Sequence, residues 1–261
     1  MADATFPGVR EADAVSMLRH PGTELAARSR STAPGPPDED ALVGVLAHEL
    51  RTPITTIYAG SAVLARDDDD LLPAMRRELA SGVHAEAARL FRAVEDLLVL
   101  TRLEHDALLV TWEPISLIRA VDAAAETEGA RWPAIHPMLQ LDGPLPPAAG
   151  DAIALAHVLR NLIADIGWRA TDPVDLEIAV DADDRRVSCH LIDTTESLAD
   201  EDLADYFALP AADPRPGRVS PGIAVFVAGA LVDAMGGSHW ARRAESGAVE
   251  IGFSLPRYEA A

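Results

Sequence analysis

Residues 46–57 read LAHELRTPITTI, and the fold of the N-terminal half turns on how this stretch is read. On a helix, His48 and Thr52 lie four residues apart on one face, with Glu49 on the neighbouring flank. Pro53 has no amide hydrogen, so the carbonyl of Glu49 loses its helical partner and a bend beside His48 is expected. Around this group Leu42, Val45, Leu46, Leu50, Ile54, Ile57, Tyr58 and Leu64 recur at three- and four-residue steps. They predict a helix from residue 38 to the acidic run DDDD at 67–70, which reads as a solvated turn. A second helical run over 71–105 carries Met75, Leu79, Val83, Leu90, Val94, Leu97, Leu98 and Leu103 on a broad stripe. Two long helices joined by a short polar turn pack as an antiparallel hairpin. Stripes this wide cannot be buried within one hairpin, so a homodimer through residues 38–107, forming a four-helix bundle, is expected.

Beyond residue 107 the pattern changes. SLIRAVDAAAETE and DAIALAHVLRNLIADIGWRA read as helices, whereas VDLEIAV and RRVSCHLID alternate strictly around the turn residues DADD. GIAVFVAGALVDAM is a further helix stopped by Gly236 and Gly237, and SHWARRAE and GAVEIGFSLP pair as a hairpin. Helices and antiparallel strands in this order predict an α+β sandwich over 108–261. Residues 1–37, with RSRSTAPGPP at their end, read as a tail and linker.

Composition narrows the function. A formal net charge of -20 argues against a nucleic-acid partner, which would need clustered Lys and Arg. The single cysteine, Cys189, excludes disulfide frameworks and paired-cysteine zinc sites and fits a reducing compartment. No apolar run approaches the roughly 20 residues of a membrane span, and no signal peptide is legible, so a cytoplasmic location is expected.

A lone histidine on a helix is ordinarily a solvated side chain. In this group, however, the imidazole is a nucleophile, the adjacent carboxylate can take its proton, and the threonine hydroxyl can orient a water. HELRTPIT closely resembles the phosphoacceptor box of two-component sensor histidine kinases, and ARLFRAVEDLLVLTRLE is similar to the partner helix of their dimerisation and phosphotransfer domain. DAIALAHVLRNLIADI resembles the family's asparagine box, LIDTTES stands in the place of its first glycine box, DYFAL resembles its phenylalanine box, and GIAVFVAGALVDAMGG its second glycine box. The resemblance implies a histidine kinase-like ATPase fold and a protein histidine kinase. His48 would be autophosphorylated from ATP and pass the phosphoryl group to an aspartate of a response-regulator receiver domain. It further implies Glu49 as acid/base helper, Thr52 as the residue positioning water for dephosphorylation, Asn161, Asp193 and Gly222 at the nucleotide, and Asn161 and Asp165 at Mg2+.

Several family positions differ. Asp165 stands where a magnesium-binding asparagine is usual, Thr195 and Ser197 replace the glycines of DxGxG, and Ser220 and Ala224 flank Gly222 in place of glycines. The lid PAADPRPGRVSP is short and proline-rich. Each added side chain stands where a glycine would let backbone approach phosphate. Three readings therefore stand together: an active kinase, a histidine phosphotransferase or response-regulator phosphatase with a vestigial ATP site, and a non-catalytic dimeric scaffold for a response regulator. His105, His136 and His157 stand apart from metal-spaced carboxylates and read as surface or core residues. Cys189 alternates with Val187 and Leu191 and reads as a buried structural thiol.

Overall fold

The structure is a computed structural model and describes residues 39–66, 72–105, 108–141, 143–170, 172–194, 198–210 and 222–259. The tail, the acidic run at 67–70, Thr195, Ser197, Ser220 and the lid residues 211–221 lie outside them.

Helices α1 (Glu39–Leu64) and α2 (Pro73–Glu104) form the hairpin that the two apolar periods predict. They approach closely at Gly60, where any side chain would collide with Val83. The first helix is continuous through Pro53. Threonine hydroxyls bond back to carbonyls in the surrounding turns: Thr52 Oγ1 donates to the His48 carbonyl at 3.4 Å, Thr55 to that of Arg51 at 2.8 Å, and Thr56 to that of Thr52 at 3.2 Å. These three bonds go to carbonyls other than that of Glu49, the one that Pro53 leaves without an amide donor.

The second region contains, in chain order, β1 (Glu113–Ile115), α3 (Leu117–Arg131), β2 (Ile135–Leu141), β3 (Ala148–Gly150), α4 (Ala152–Arg169), β4 (Val174–Ala182), β5 (Arg186–Asp193), α5 (Asp200–Ala204), α6 (Ile223–Ala234), β6 (Ser238–Arg243) and β7 (Val249–Pro256). Five strands form one sheet in the order β2-β4-β5-β7-β6, while β1 and β3 make a separate antiparallel pair. All sheet neighbours are antiparallel except β2 and β4, which run parallel with Ile135 opposite Val174. The parallel strand is a departure from the sequence reading. It carries Pro137, which lacks a ladder donor and weakens a strand signal; at the sheet edge, where β2 lies, proline is tolerated.

Strict alternation puts Val187, Cys189, Leu191 and Asp193 of β5 on the buried face with Leu176, Ile178 and Val180 of β4 and Ile251 and Phe253 of β7. Against them pack Leu155, Val158, Leu159, Leu162 and Ile166 of α4 and Val225, Val227 and Ala228 of α6. The same period that buries a cysteine therefore buries a carboxylate at the strand's end. Burial, with a smaller contribution from Asp181, pushes the Cys189 thiol up to about 12, so it stays protonated and inert. The stop expected after α6 is present, with Gly236 at φ +66°. Among the described residues no helix is long and apolar enough to cross a membrane.

On the other face of the sheet Glu250 accepts hydrogen bonds from Trp240 Nε1 at 2.9 Å and from Arg242 Nη2 at 2.8 Å, and contacts His190 Nδ1 at 2.9 Å. Burial alone would raise its pKa, but the bonds from Arg242, His190 and Trp240 outweigh it and hold the carboxyl at about 2. A depressed carboxyl pKa contributes stability above the usual value of 4.5, and that contribution is lost as pH falls towards 2. Glu250→Gln is expected to lower stability at neutral pH by on the order of 2 kcal/mol. Denaturant melts across pH should show the gap closing between those two values; a gap independent of pH would assign the effect to packing.

Candidate functional site

His48 and Thr52 lie on an exposed face of α1, as their four-residue spacing requires. Glu49, one step around the helix, is half-buried and turned towards the sandwich: a side chain at Gly222 would stand 3.6 Å from its Oε2. Glu49, Asn161, Asp165, Trp168, Arg169 and Gly222 line a cleft of about 310 Å³ where the hairpin meets α4 and α6. A larger groove of about 780 Å³ runs between α3 and α4, and of the residues singled out in the sequence only His157 lines it.

The register of α4 is fixed at its start. Asp151 caps the helix by accepting from the amides of Ile153 at 2.8 Å and Ala154 at 3.0 Å, and it also accepts from the amide of Thr111 at 3.1 Å. From there, four-residue steps place Asn161, Asp165 and Arg169 along one face. Gly222 stands at the N-cap of α6 without a side-chain cap, and Ala224 is the second residue of the helix.

Each polar group that the resemblance gives to nucleotide or metal has a partner inside the chain. Asn161 Nδ2 donates to Asp96 Oδ1 and to the Ala224 carbonyl, both at 2.9 Å, while its Oδ1 accepts from Arg160 Nε at 3.4 Å. Asp165 Oδ2 accepts from Arg169 Nε at 2.9 Å and from the Tyr206 hydroxyl at 2.6 Å. Arg169 Nη1 donates at 2.9 Å to Oδ2 of Asp193, whose side chain is fully buried. Burial alone would lower the Arg169 pKa, but Asp165, Tyr206 and Asp193 outweigh it and raise it, so the guanidinium is a permanent cation. Burial, and then the Asp165 charge, push the Tyr206 phenol well above its ordinary value, so it remains a donor.

The sandwich is tied to the hairpin by a second polar set that the sequence did not disclose. His157 Nε2 meets the buried Asp96 Oδ1 at 2.6 Å, Arg160 Nη1 donates to Glu95 Oε2 at 2.6 Å, and the Arg89 guanidinium lies 4.3 Å from the centre of the Trp168 ring. His157, read from sequence as isolated, has its carboxylate on another helix, 61 positions away. No local signal marks such a pair. Asp165 and Arg169, by contrast, form an i, i+4 pair that the sequence displays.

The donor set in this arrangement does not match the needs of a bound nucleotide and metal. The buried carboxylate that would accept from an adenine amino group already accepts from a guanidinium, and the amide and carboxylate meant for the metal are bonded to protein donors. Among the described residues no group of three or more His, Cys, Asp and Glu is placed to hold a metal ion.

A helical hairpin with an exposed histidine, followed by a helix-and-sheet sandwich that docks on it, is the architecture of histidine kinase catalytic regions. Residues 38–106 match the His Kinase A (phospho-acceptor) domain, and the chain is similar to sensor histidine kinases. The Mycobacterium tuberculosis protein named "Probable sensor histidine kinase TcrY" is 34% identical over 156 residues, covering 57% of this chain and 30% of that protein. Sensor histidine kinase MtrB of the same organism is 30% identical over 141 residues, covering 53% of this chain and 25% of its own length. The chain thus spans under a third of these relatives. Among solved structures, the Acinetobacter baumannii histidine kinase AdeS superposes with a TM-score of 0.60 at 20% identity, over 81% of this chain and 98% of that one. Histidine kinase ThkA, crystallised with the response regulator protein TrrA, gives 0.58 at 18% identity, over 83% and 61%. Full-length ShkA, crystallised with AMPPNP, gives 0.58 at 22% identity, over 84% and 46%.

Proposed function

We propose that His48 carries a phosphoryl group and exchanges it with the aspartate of a response-regulator receiver domain. The observation that carries this reading is the exposed imidazole of His48, with the Thr52 hydroxyl one turn on, on a helix matched to the phospho-acceptor domain. The free ring nitrogen attacks phosphorus of the receiver's acyl phosphate, the bond from phosphorus to the carboxylate oxygen breaks, and the aspartate leaves as its carboxylate. Glu49, at the edge of the cleft beside this face, takes the proton that the phosphorylated ring gives up. The ThkA complex with its response regulator supports the choice of partner. The test is to incubate the chain with a phosphorylated receiver domain and look for acid-labile phosphate on the chain. Absence of transfer to the folded dimer would remove the reading.

A second reading makes ATP the donor, with Mg2+ at Asn161 and Asp165 and the nucleotide at Asn161, Asp193 and Gly222. Two features favour it: the uncapped N-terminus of α6 opens on the cleft, where amides suit a phosphate, and ShkA of similar fold binds AMPPNP. In this reading Arg169 and Asp96 must first release the groups they hold.

Thr52 separates two activities. Its hydroxyl can hold a water in line with a receiver's acyl phosphate, whereas attack by the imidazole does not use it. Thr52→Ala is expected to slow receiver dephosphorylation by roughly tenfold or more while changing phosphoryl uptake by His48 by less than about twofold. Radiolabel decay on the receiver and label on the chain report the two separately; equal losses would show that Thr52 serves the histidine rather than the water.

A further inference from the structure

We infer that the residues in the place of a nucleotide site act in this chain as an internal clamp, with the Arg169 guanidinium in the position of the nucleotide's donor groups. The domain therefore closes without nucleotide, and the phosphoryl group of His48 is supplied by a reaction outside it, transfer from an acyl phosphate. The first statement rests on geometry within the chain; the second rests on the phosphotransfer reading above.

Three observations converge. Asp193 is a fully buried carboxylate at the end of β5, and such a group needs a donor that does not leave. Arg169 supplies it from α4, and one guanidinium also engages Asp165, so two carboxylates from different elements share a single cation. Tyr206 closes the cluster from the segment following α5 by donating to Asp165. This cation is part of the chain, so its local concentration does not depend on a solute, and a neutral adenine amino group competes poorly with a charge-assisted bond.

The second observation concerns Asn161. Its amide nitrogen is shared between Asp96 of the hairpin and the Ala224 carbonyl of α6, so the side chain joins three helices, and its Oδ1, the atom a metal would take, accepts from Arg160 Nε at 3.4 Å. Asp96 is itself buried and also contacts His157, which makes this junction part of the contact between hairpin and sandwich.

The third is at the head of α6. A helix N-terminus beside a glycine is a place for phosphate, yet the Glu49 carboxylate stands there from α1. A triphosphate entering the cleft would meet this carboxylate at the helix head and Asp165 deeper in, although Arg89, Arg92 and Arg169 also line the walls. Base and phosphate positions are thus each met by a group of the chain, a guanidinium and a carboxylate, and the asparagine assigned to the metal is bonded at a junction of helices.

The test uses the full chain. Melting temperature is measured for the wild type with and without millimolar ATP and magnesium, and for Arg169→Met and the milder Tyr206→Phe without nucleotide. The clamp predicts no nucleotide-induced shift in the wild type, a fall of several degrees or failure to fold for Arg169→Met, and a smaller fall for Tyr206→Phe. A clear rise of the wild-type melting temperature with nucleotide, or Arg169→Met and Tyr206→Phe melting like the wild type, overturns it. Transfer from a phosphorylated receiver to His48 is read on the same wild-type sample. Failed transfer with the melts as predicted removes the external-donor statement and the phosphotransfer reading while leaving the clamp; intact transfer with a nucleotide-induced rise removes the clamp alone.

Discussion

His48→Ala is expected to reduce acid-labile phosphorylation of the chain to background, whichever donor supplies the phosphoryl group. The imidazole is the attacking group, and alanine leaves no nucleophile in its place. Three of the other described histidines are poor substitutes for physical reasons, whereas His84, His105 and His136 are exposed as His48 is. His157 is held by Asp96, His190 lies between Glu250 and Asp181, and His239 packs on Phe207 with ring centres 4.3 Å apart. Because His48 is exposed and its side chain supports no packing, the variant should fold and melt like the wild type, which separates a chemical loss from a structural one. Glu49→Gln should slow uptake by about 100-fold, the usual scale for losing a proton acceptor. Label persisting in folded His48→Ala protein would show that another residue carries the phosphoryl group.

A charge placed on the exposed apolar stripe of the hairpin should convert a dimer into a monomer. On α1, Ile54 and Tyr58 are 51% and 77% exposed, and on α2 Phe91, Val94 and Leu98 are 65%, 41% and 52% exposed. Their spacings of four, three and four residues form one stripe on each helix. Side chains of this size are each worth about 1.5–3 kcal/mol when fully buried, so a second copy covering both stripes gains far more than isolated surface residues need. We propose that this surface is the homodimer contact over residues 38–107. The double change Tyr58→Glu and Phe91→Glu is expected to weaken association by at least about 100-fold, since it removes two buried aromatics and places like charges in each copy. Sedimentation at micromolar concentration reads the outcome. A wild-type monomer, or a double variant as dimeric as the wild type, would place the contact elsewhere.

Within the sequence, the elements were legible wherever a single period or a short spacing suffices. The three- and four-residue apolar steps gave α1 and α2, strict alternation gave β4 and β5, and the glycine pair after Met235 gave the end of α6. His48, Glu49 and Thr52 were marked by the resemblance of HELRTPIT to a phosphoacceptor box, and the helix puts His48 and Thr52 on one exposed face as their four-residue spacing requires. The i, i+4 relation of Asp165 and Arg169 was equally local. Only the closed structure decided what these groups do to one another. Arg169 reaches Asp193 across 24 positions, Tyr206 reaches Asp165 across 41, and Asp96 meets Asn161 across 65. Such pairs arise because packing α4 on the sheet and the hairpin on α4 brings distant polar groups into a space with little water, where each must find a partner or destabilise the fold. The alternation read for Val187, Cys189 and Leu191 continues to Asp193 and buries it. It could not tell which cation would meet it there, because that depends on how the helix layer sits on the sheet.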